Sequence, residues 1–371
     1  MKILQLSKFY PPIFGGIEQV AFDITEGMKT KDINVDVLSV NDIKKTVVNI
    51  SDSETVVRSA MLLTLLSTPI SISYILMWKK MRNNYDVIHV HLPNPLAVIA
   101  LILFPTKKPI VLHWHSDIVK QKMALKFFRP LQNILLKKAS KIIVTSEIYG
   151  QTSHQLKDVR DKIVTVPIGI EPKRLPDNKK LLDKLRVKYK NKKIVFALGR
   201  LVYYKGFSTL IEAAEFLDED VILLIGGQGE LFSALSKSII EKKLEEKVVL
   251  LGSIKYDDLS AYYQICDVFC LPSIHKSEAF GVVQLEAMSY GKPVVSTNIK
   301  NSGVPWVNKN GVSGLVVEPN DPQGLANAIN SVLVQPEYFA LHALERYLNL
   351  FTRDKMISNL VNVYSDTKKG D

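Results

Sequence analysis

Residues 194–217 of the chain read IVFALGRLVYYKGFSTLIEAAEFL. Ile194 to Leu198 form an unbroken apolar run of strand length, and Gly199 follows it directly. From Gly206 to Leu217 the apolar residues recur at the spacing of an amphipathic helix. A buried strand that turns through glycine into a helix is the repeating unit of an α/β fold.

The same alternation of strand and helix occurs in two series along the chain. Strand-like runs of the first series lie at Ile3–Leu6, Val35–Val40, Val87–Val90, Ile110–Leu112, Ile142–Val144 and Ile163–Val166. Helical periodicity lies between them, for example at Glu18–Met28 and Phe127–Lys138. After a charged connector, Lys173–Lys193, further strand-like runs follow at Val221–Ile225, Val248–Leu251, Val268–Leu271, Pro293–Ser296 and Gly314–Val317. Alternation at this interval predicts parallel sheets with helices on both faces.

We therefore predict an α/β protein of two Rossmann-like, doubly wound domains that face each other across a cleft. The first domain is predicted at residues 1–172 and the second at residues 173–351, with a final helix at 352–371 that packs back on the first domain. In such sheets ligands bind beyond the carboxyl ends of the strands, so the loops that follow the strands are the place to look for chemistry.

The 371 residues carry a net charge of +11, with 47% apolar and 23% charged residues, a composition typical of a globular protein. The charge is uneven. Residues 1–190 contain 30 Lys and Arg against 16 Asp and Glu, net +14, which leaves 18 against 21, net −3, for the rest. This asymmetry indicates that the first half meets an anionic surface or substrate. Anionic lipid and nucleic acid both fit the charge, although no nucleic-acid recognition motif is present.

Two segments bear on membranes. Basic residues alternate with apolar ones from Lys120 to Lys141, which is typical either of a helix at a lipid surface or of a packed helix with a solvated face. Met61–Trp78 contains no charge but is short and polar for a spanning helix, so we predict a buried or interfacial helix broken at Pro69. No secretory signal is evident in the first residues, and we expect a cytoplasmic protein at the inner face of the membrane.

The cysteines, Cys266 and Cys270, are four positions apart in a strand-like run. A strand would separate them by about 13 Å, too far for a disulfide or a shared metal ion. We interpret both as packing residues, which favours a reducing compartment.

Two carboxylates mark the most specific segment, Ser277–Met288. Glu278 precedes a short predicted helix and Glu286 lies inside it, so the two can meet different parts of one ligand near the helix N-terminus. Upstream, Arg200 and Lys205 supply cations that could offset the charge of a diphosphate. Carboxylates for hydroxyl groups and cations for phosphates indicate glycosyl transfer from a sugar nucleotide.

Other candidates follow other strands. Gly15 and Gly16 precede the first helix, where the backbone can approach an anionic ligand. Gly226-Gly227-Gln228-Gly229 lacks the third glycine of the dinucleotide fingerprint, and we assign this turn to the lining of a nucleotide pocket.

His115 and Asp117 follow the strand Ile110–Leu112 and could form a histidine oriented by a carboxylate. Zinc is the competing interpretation, but no thiolate partner or His-Glu-x-x-His spacing supports it, so no metal site is predicted. His89 and His91 alternate on a strand and are interpreted as structural or cleft-lining residues.

Together these motifs resemble the retaining GT-B glycosyltransferases of family 4. The resemblance extends from the first strand to about Pro322 and rests on Gly15-Gly16-Ile17-Glu18, His115-Ser116-Asp117, Pro167-Ile168-Gly169-Ile170-Glu171, Gly199-Arg200 with Lys205-Gly206, and Glu278 with Glu286. Ser302–Asn308 is similar to members that build bacterial surface polysaccharides. The family often has Asn where this chain has Ile168 and Asp where it has Glu171, which puts the contacts of that loop in doubt.

The resemblance implies roles position by position. Arg200 and Lys205 would hold the donor diphosphate, Glu286 the ribose hydroxyls, and His115 the donor sugar. Glu278 with the amides of Ala279, Phe280 and Gly281 would meet the donor sugar and phosphate, and Gly16 the diphosphate. The implied donor is a nucleoside diphosphate sugar, with GDP-mannose favoured and a UDP-sugar possible, and the acceptor is a lipid-linked saccharide. Neither a cofactor nor a divalent metal is implied.

Two alternatives to glycosyl transfer remain. A GT-B-fold sugar nucleotide epimerase would share the nucleotide pocket without needing an acceptor, and a non-catalytic nucleic-acid-binding protein would account for the net charge alone. The chain carries no basic and aromatic strand platform of the kind that binds single-stranded nucleic acid, so we expect no nucleic acid partner.

Overall fold

A computed structural model describes residues 1–13, 15–51, 54–65, 68–118, 122–172 and 175–369, with the backbone alone at 122–127 and 369. The chain divides into two compact units. Met1–Gly169 together with Arg353–Asp371 form the first unit, and Ile170–Thr352 form the second. The domain boundaries predicted at 172 and 351 lie close to these divisions.

The first unit is built on a sheet with the strand order β10-β9-β8-β7-β1-β2-β4-β3 over the described residues. Its strands and those of a separate hairpin are β1 (Lys2–Leu6), β2 (Asn34–Val40), β3 (Val47–Ile50), β4 (Thr55–Ser59), β5 (Leu63–Leu65), β6 (Thr68–Ile70), β7 (Val87–Leu92), β8 (Ile110–Trp114), β9 (Lys141–Val144) and β10 (Ile163–Thr165). All pairs in the sheet are parallel except β3 with β4. The order reverses between β1 and β7, so the residues beyond these two strands lie at a topological switch point.

The helices of this unit that precede the second unit in sequence are α1 (Gly16–Lys29), α2 (Ile72–Met81), α3 (Pro95–Leu103), α4 (Lys122–Lys138) and α5 (Glu147–Thr152). Local signals start two of them. The Ser71 hydroxyl accepts a hydrogen bond from the backbone N–H of Tyr74, and the Asn94 side chain accepts one from Ala97. These are the N-cap bonds that satisfy a helix's first donors.

The prediction of a helix over Met61–Trp78 is wrong for the first half of this segment. Residues 63–65 and 68–70 form the antiparallel hairpin β5–β6, and α2 begins only at Ile72. Pro69 explains the difference, because it cannot donate within a helix but is tolerated in a two-stranded ribbon. Leu63 and Leu65 are 53% and 59% exposed, so this segment is not buried. No helix among the described residues meets the length and hydropathy required to cross a membrane.

The second unit is a fully parallel sheet in the order β13-β12-β11-β14-β15-β16. Its strands are β11 (Lys193–Leu198), β12 (Val221–Gly226), β13 (Val248–Gly252), β14 (Val268–Leu271), β15 (Val294–Thr297) and β16 (Gly314–Val317). This is the Rossmann order, with its switch point between β11 and β14. The predicted fold class, two doubly wound α/β domains, is therefore confirmed.

The helices of the second unit are α6 (Lys179–Lys188), α7 (Phe207–Ala213), α8 (Phe232–Glu241), α9 (Leu259–Ile265), α10 (Val282–Ser289), α11 (Val304–Val307), α12 (Pro322–Val334) and α13 (Pro336–Leu350). The apolar residues of α7 and α12 pack with β11, β12 and β14 in one buried cluster. Cys266 and Cys270 are free and buried, and only Cys270 lies in a strand. Residues 173 and 174 of the predicted connector lie outside the described residues.

α13 ends at Leu350, and a separate helix, α14 (Arg353–Lys369), follows it. α14 belongs to the first unit, where it packs on α1. The contact needs a glycine, since a Cβ on Gly27 would lie 2.3 Å from Ile357 Cγ1. The Tyr364 hydroxyl also lies 2.7 Å from His89 Nδ1 on β7. The last helix therefore covers the strands where the first sheet reverses.

We expect Leu360→Ala to lower the free energy of unfolding of the first unit by about 2–5 kcal/mol, because it removes fully buried methyl groups and leaves a cavity. Denaturant unfolding followed through Trp78 and Trp114, both buried in this unit, measures the loss. Ser365→Ala, exposed on the same helix, is the matched control and should change little. Equal stability of the two variants would contradict the packing of α14.

A candidate anion-binding site and a buried histidine cluster

The site residues of the second unit come from the loops at its switch point. Gly199 and Arg200 directly follow β11, and Pro272 and Ser273 directly follow β14. Because β11 and β14 are parallel neighbours, these loops leave the sheet at the same edge. The backbone N–H of Ile274 donates to the carbonyl of Tyr204 at 2.9 Å and holds the two loops together.

An ion pair also joins these loops. Lys205 ends a 3₁₀ turn, Tyr203–Lys205, and its Nζ lies 2.5 Å from Glu278 Oε2. The Ser273 hydroxyl donates to the same oxygen at 3.2 Å. Lys205 is only 9% exposed, so the pair is held away from most of the solvent. Sequence reasoning selected both ionic residues but did not foresee that they bind each other.

Glycine at position 206 makes this approach possible. Gly206 has φ +69°, in the left-handed region, and a Cβ there would lie 2.0 Å from the Pro272 carbonyl oxygen. Any side chain would therefore push the loop after β11 away from the loop after β14. In the sequence Lys205-Gly206, the glycine thus allows a close contact between the two loops and the lysine supplies a positive charge.

Arg200 is the exposed cation of the site. One of its guanidinium nitrogens donates to the Tyr204 hydroxyl at 3.2 Å. Its other donors have no acceptor within the described part of the chain. A guanidinium fixed at one corner and open at the others is suited to bidentate binding of a phosphate.

The start of α10 offers unpaired backbone donors. Gly281, with φ +76°, turns the chain into the helix. Over the described ranges, the N–H groups of Ala279, Phe280, Gly281, Val282 and Val283 have no hydrogen-bond acceptor. Ala279, Phe280 and Gly281 are also buried. Five consecutive free amides at the positive end of a helix are suited to binding an anion.

Glu286 lies on the second turn of α10 and is buried. Its Oε2 accepts a hydrogen bond of 2.7 Å from the hydroxyl of Tyr263 on α9. Tyr263 in turn stacks on Tyr290 at 5.8 Å between ring centroids. Sequence reasoning selected Glu286 but missed Tyr263, since nothing in the α9 sequence distinguishes a tyrosine that binds a carboxylate from one that only packs.

The glycine turn after β12 packs against the loop after β11. A Cβ on Gly227 would lie 1.8 Å from the carbonyl oxygen of Gly199, and one on Gly229 would lie 2.3 Å from that of Leu201. The Leu201 N–H donates to the Gln228 carbonyl at 2.9 Å. Glycine is required at these positions because two backbones approach closely, and the contact positions the Gly199-Arg200 segment. Their assignment to a nucleotide pocket stays a prediction.

In the first unit, Gly15 and Gly16 begin α1 and both are exposed. Gly16 has open space where a Cβ would stand, so a ligand could reach its backbone. Glu18 lies in the first turn, and burial raises the pKa of its carboxyl group. The predicted role of the glycines in holding a diphosphate stays a prediction.

Four histidines lie together on the central strands of the first unit: His89 and His91 on β7, His113 on β8, and His115 just beyond β8. His91 Nδ1 lies 2.9 Å from His115 Nε2, and His113 Nδ1 lies 3.3 Å from His89 Nε2. The rings of His113 and His115 stack at 4.1 Å between centroids. Sequence reasoning gave His89 and His91 no role, whereas the structure places His91 in contact with the predicted site residue His115, and His89 in contact with His91 and His113.

The predicted pairing of His115 with Asp117 is wrong. Asp117 Oδ1 accepts hydrogen bonds from Trp114 Nε1 at 3.1 Å and from the Ser153 hydroxyl at 2.7 Å. The imidazole of His115 binds His91 instead.

One ring nitrogen from each of His89, His91 and His113 lies within 4.8 Å of the other two, close enough to consider a metal ion. Hydrogen bonds nevertheless engage both nitrogens of His91 and both nitrogens of His89. A tetrahedral zinc ion about 2.0–2.1 Å from each nitrogen would require these bonds to break. The arrangement described is a hydrogen-bonded cluster.

Comparison with known proteins agrees with the motifs. The family model Glycosyltransferase Family 4 matches residues 14–174, and the model Glycosyl transferases group 1 matches residues 178–345. The O-antigen chain mannosyltransferase C of Escherichia coli is 31% identical over 370 residues, which covers 98% of both chains. The D-rhamnosyltransferase WbpZ of Pseudomonas aeruginosa is 31% identical over 95% of this chain and 92% of that protein.

Solved structures show the same fold. Sucrose-phosphate synthase from Thermosynechococcus elongatus matches with a TM-score of 0.81 at 20% identity over 100% of both chains. Alr3699/HepE of Anabaena, solved in complex with UDP and glucose, matches with a TM-score of 0.77 at 22% identity over 98% of this chain and 99% of that one.

The histidine cluster should make the first unit acid-sensitive. Burial lowers the pKa of His89 and of His115 to about 3. Because an unfolded histidine titrates near pH 6.5, the unfolded state binds protons first as the pH falls below that value. We expect full stability above about pH 6.5 and a loss of about 1.4 kcal/mol per pH unit per histidine between about pH 6 and pH 4.

Denaturant unfolding of the first unit at pH 7 and pH 5 measures this loss. In His89→Phe the free energy of unfolding should fall less steeply as the pH falls, and the difference should equal the contribution of one histidine. The exposed His154→Gln is the matched control. An unchanged slope in His89→Phe would contradict the expectation that the buried imidazole is held neutral.

Proposed function

Because this chain belongs to family 4 of the GT-B glycosyltransferases, we propose that it transfers a hexose from a nucleoside diphosphate sugar to a hydroxyl group of a lipid-linked saccharide. We propose mannose as the hexose and bacterial surface polysaccharide of the O-antigen or capsule type as the product. The mannosyltransferase relative named above supports this choice. We favour GDP-mannose as the donor over a UDP-linked sugar.

The observation that carries the proposal is the convergence of positive charge and free amides at one switch point. Lys205 is fixed by Glu278, Arg200 has open donors, and the amides of Ala279, Phe280 and Gly281 have no acceptor among the described residues. When the glycosidic bond breaks, negative charge develops on the departing diphosphate. Preorganised cations and dipoles stabilise such charge without reorganisation. We propose that they do so without a metal ion.

Glu286 is the proposed partner of the ribose. It is buried, and Tyr263 holds one carboxylate oxygen. A carboxylate accepts hydrogen bonds at both oxygens, so it can also receive those of ribose hydroxyls. Gly199 and Gly229 bring the loop backbones close together beside Arg200, and we propose that they border the nucleotide.

The proposed reaction retains the configuration of the anomeric carbon. The leaving diphosphate departs from an oxocarbenium-like centre, and the acceptor hydroxyl attacks the same face. Glu278 Oε2 receives Lys205 and Ser273, which suits a carboxylate that orients a cation and a sugar hydroxyl. In this mechanism neither glutamate is a nucleophile of the kind that retaining hydrolases use. His115, Gly15 and Gly16 are proposed donor contacts from the first unit.

We expect Arg200→Ala to raise the barrier to transfer by about 2–4 kcal/mol, a fall in kcat of about 30- to 900-fold, because it removes a charge that stabilises the leaving group. Arg200 is exposed, so the fold should be unaffected. Lys237→Ala, an exposed lysine on α8, is the matched control. Near-normal turnover of a folded Arg200→Ala protein would remove Arg200 from the mechanism.

The experiment that tests the function combines binding and transfer. Nucleoside diphosphates are first screened for thermal stabilisation, since a ligand of the native state raises the Tm by mass action, and GDP is expected to act most strongly. The stabilising donor is then supplied with and without a saccharide acceptor. Release of the diphosphate only with acceptor, and an α-linked product from an α-linked donor by NMR, are expected. Release without acceptor would favour an epimerase.

We also propose that the first unit binds the inner face of the cell membrane. The exposed apolar side chains of the hairpin β5–β6 and of the helices beside it form a surface that we call the apolar face, consisting of Leu62, Leu63, Leu65, Ile72, Leu76, Leu103 and Ile134. α3 contacts α2, α4 and β6, so these elements adjoin. Exposed Lys79, Lys80 and Lys107 lie on or next to them.

Apolar side chains rimmed by lysines suit an interface with anionic lipid. The basic segment of α4 predicted to bind lipid is described only in part, since Lys120 lies outside the described residues and only the backbone is described from residue 122 to 127. The hairpin, rather than α4 alone, supports the proposal.

Flotation with vesicles of phosphatidylcholine and phosphatidylglycerol measures this binding. Leu63→Glu combined with Leu65→Glu should weaken it at least about tenfold, because two inserting leucines are replaced by charges that anionic lipid repels. Leu341→Glu, an exposed leucine of the second unit, is the matched control. Absence of wild-type binding at low salt would overturn the membrane proposal and leave the transfer reaction untouched.

A further inference from the structure

A chain of hydrogen bonds leads from the middle of β1 to His115. Gln5 Nε2 donates to the Ala21 carbonyl at 3.1 Å and to the Thr25 hydroxyl at 2.7 Å, both on α1. Gln5 Oε1 lies 2.6 Å from His91 Nε2. His91 Nδ1 then lies 2.9 Å from His115 Nε2.

The orientation of the Gln5 amide determines which atom donates in each of these hydrogen bonds. The Ala21 carbonyl can only accept, so the Gln5 atom that faces it must be the amide nitrogen, and the opposite atom must be the oxygen. An amide oxygen only accepts, so His91 carries a proton on Nε2. Rotating the amide by 180° would place two acceptors against each other at Ala21, which excludes the reverse assignment.

Burial then determines where the protons of the two histidine rings lie. His91 is fully buried, and this burial holds its pKa well below the usual value, so the ring is neutral and Nδ1 has only a lone pair. The proton between the two rings therefore belongs to His115 Nε2. His115 is neutral as well, since burial lowers its pKa to about 3, and its Nδ1 also has only a lone pair. Within the described ranges Nδ1 has no hydrogen-bond partner.

We propose that Gln5 is a positioning residue that sets the tautomer of His115 through His91, so that His115 Nδ1 accepts a hydrogen bond from a substrate hydroxyl. His115 retains 7% exposure and is the last member of this series of hydrogen bonds among the residues that the structure describes. In this state it accepts from a hydroxyl but cannot donate to a phosphate or carbonyl oxygen. The sugar as substrate rests on the proposed function, whereas the tautomer does not.

The burial of His115 disfavours a role as general base, because it lowers the pKa to about 3 and an effective base has a pKa near the working pH. His115 thus selects a substrate by the direction of a hydrogen bond. A donor sugar without the matching hydroxyl would leave the lone pair unpaired, and discrimination follows from that loss.

NMR of protein labelled with ¹⁵N-histidine tests the assignment directly, because two- and three-bond ¹H–¹⁵N correlations distinguish the two neutral tautomers. In the wild-type protein at pH 7, His91 and His115 should both be protonated on Nε2. A proton on Nδ1 of His115 would overturn the proposal, whatever reaction the enzyme catalyses.

Gln5→Met tests the source of the tautomer. The thioether fills a similar volume but is a poor acceptor, so His91 should move its proton to Nδ1 and donate to His115, which then becomes protonated on its own Nδ1. Thr25→Val is the matched control. It removes the other side-chain partner of Gln5 but leaves the Gln5–His91 bond, and should keep the wild-type tautomers. Unchanged tautomers in Gln5→Met would overturn the role of Gln5.

Transfer kinetics with monodeoxy donor sugars supply the functional test. One deoxy donor should lower the wild-type kcat/KM by about 2- to 13-fold, the range for one hydrogen bond, while Gln5→Met should not distinguish it from the full donor. Equal discrimination by both proteins would overturn the substrate contact. If no sugar is transferred at all, the proposed function fails while the NMR result still decides the tautomer.

Discussion

The ion pair between Lys205 and Glu278 is the interaction on which the candidate site depends. Each member comes from a loop at a different strand, and the pair fixes the loop after β11 to the loop after β14. A partly buried charge without a partner costs several kcal/mol, so each residue requires the other. Gly206 allows the backbones to approach, and the Ser273 hydroxyl completes the coordination of the carboxylate. Arg200 and the free amides of α10 then lie on a rigid frame.

Much of this arrangement could be predicted from the sequence. The strands that we predicted from apolar runs are present in both sheets. They could be recognised because a parallel sheet buries both faces, so its strands are continuously hydrophobic. Glu278, Glu286, Arg200 and Lys205 could be selected because the topology places loops after parallel strands at one edge. The pairing of Lys205 with Glu278 could not be selected, since it depends on the distance between two loops far apart in sequence.

Other features escaped prediction for physical reasons. The segment of the hairpin β5–β6 is uncharged, as a buried helix could be, and Pro69 indicated a break but not that the residues around it pair as two strands. Asp117 is two residues from His115, but its carboxylate binds the Trp114 ring while the His115 ring binds His91. The sequence does contain one indication of the importance of Gln5. Its amide lies within the apolar run of β1, and a buried amide requires hydrogen-bond partners. Those partners, on α1 and β7, could be named only from the fold.

The return of α14 to the first unit has a consequence for how the protein is made. Residues 1–169 leave the ribosome first, yet the helix that covers Gly27 and His89 is synthesised only after the whole second unit. Until then the nascent first unit has an open apolar side and the hydrogen bond from Tyr364 to His89 is missing. The first unit therefore cannot complete its packing before the second unit has been synthesised, and its exposed apolar surface is prone to aggregation during that time.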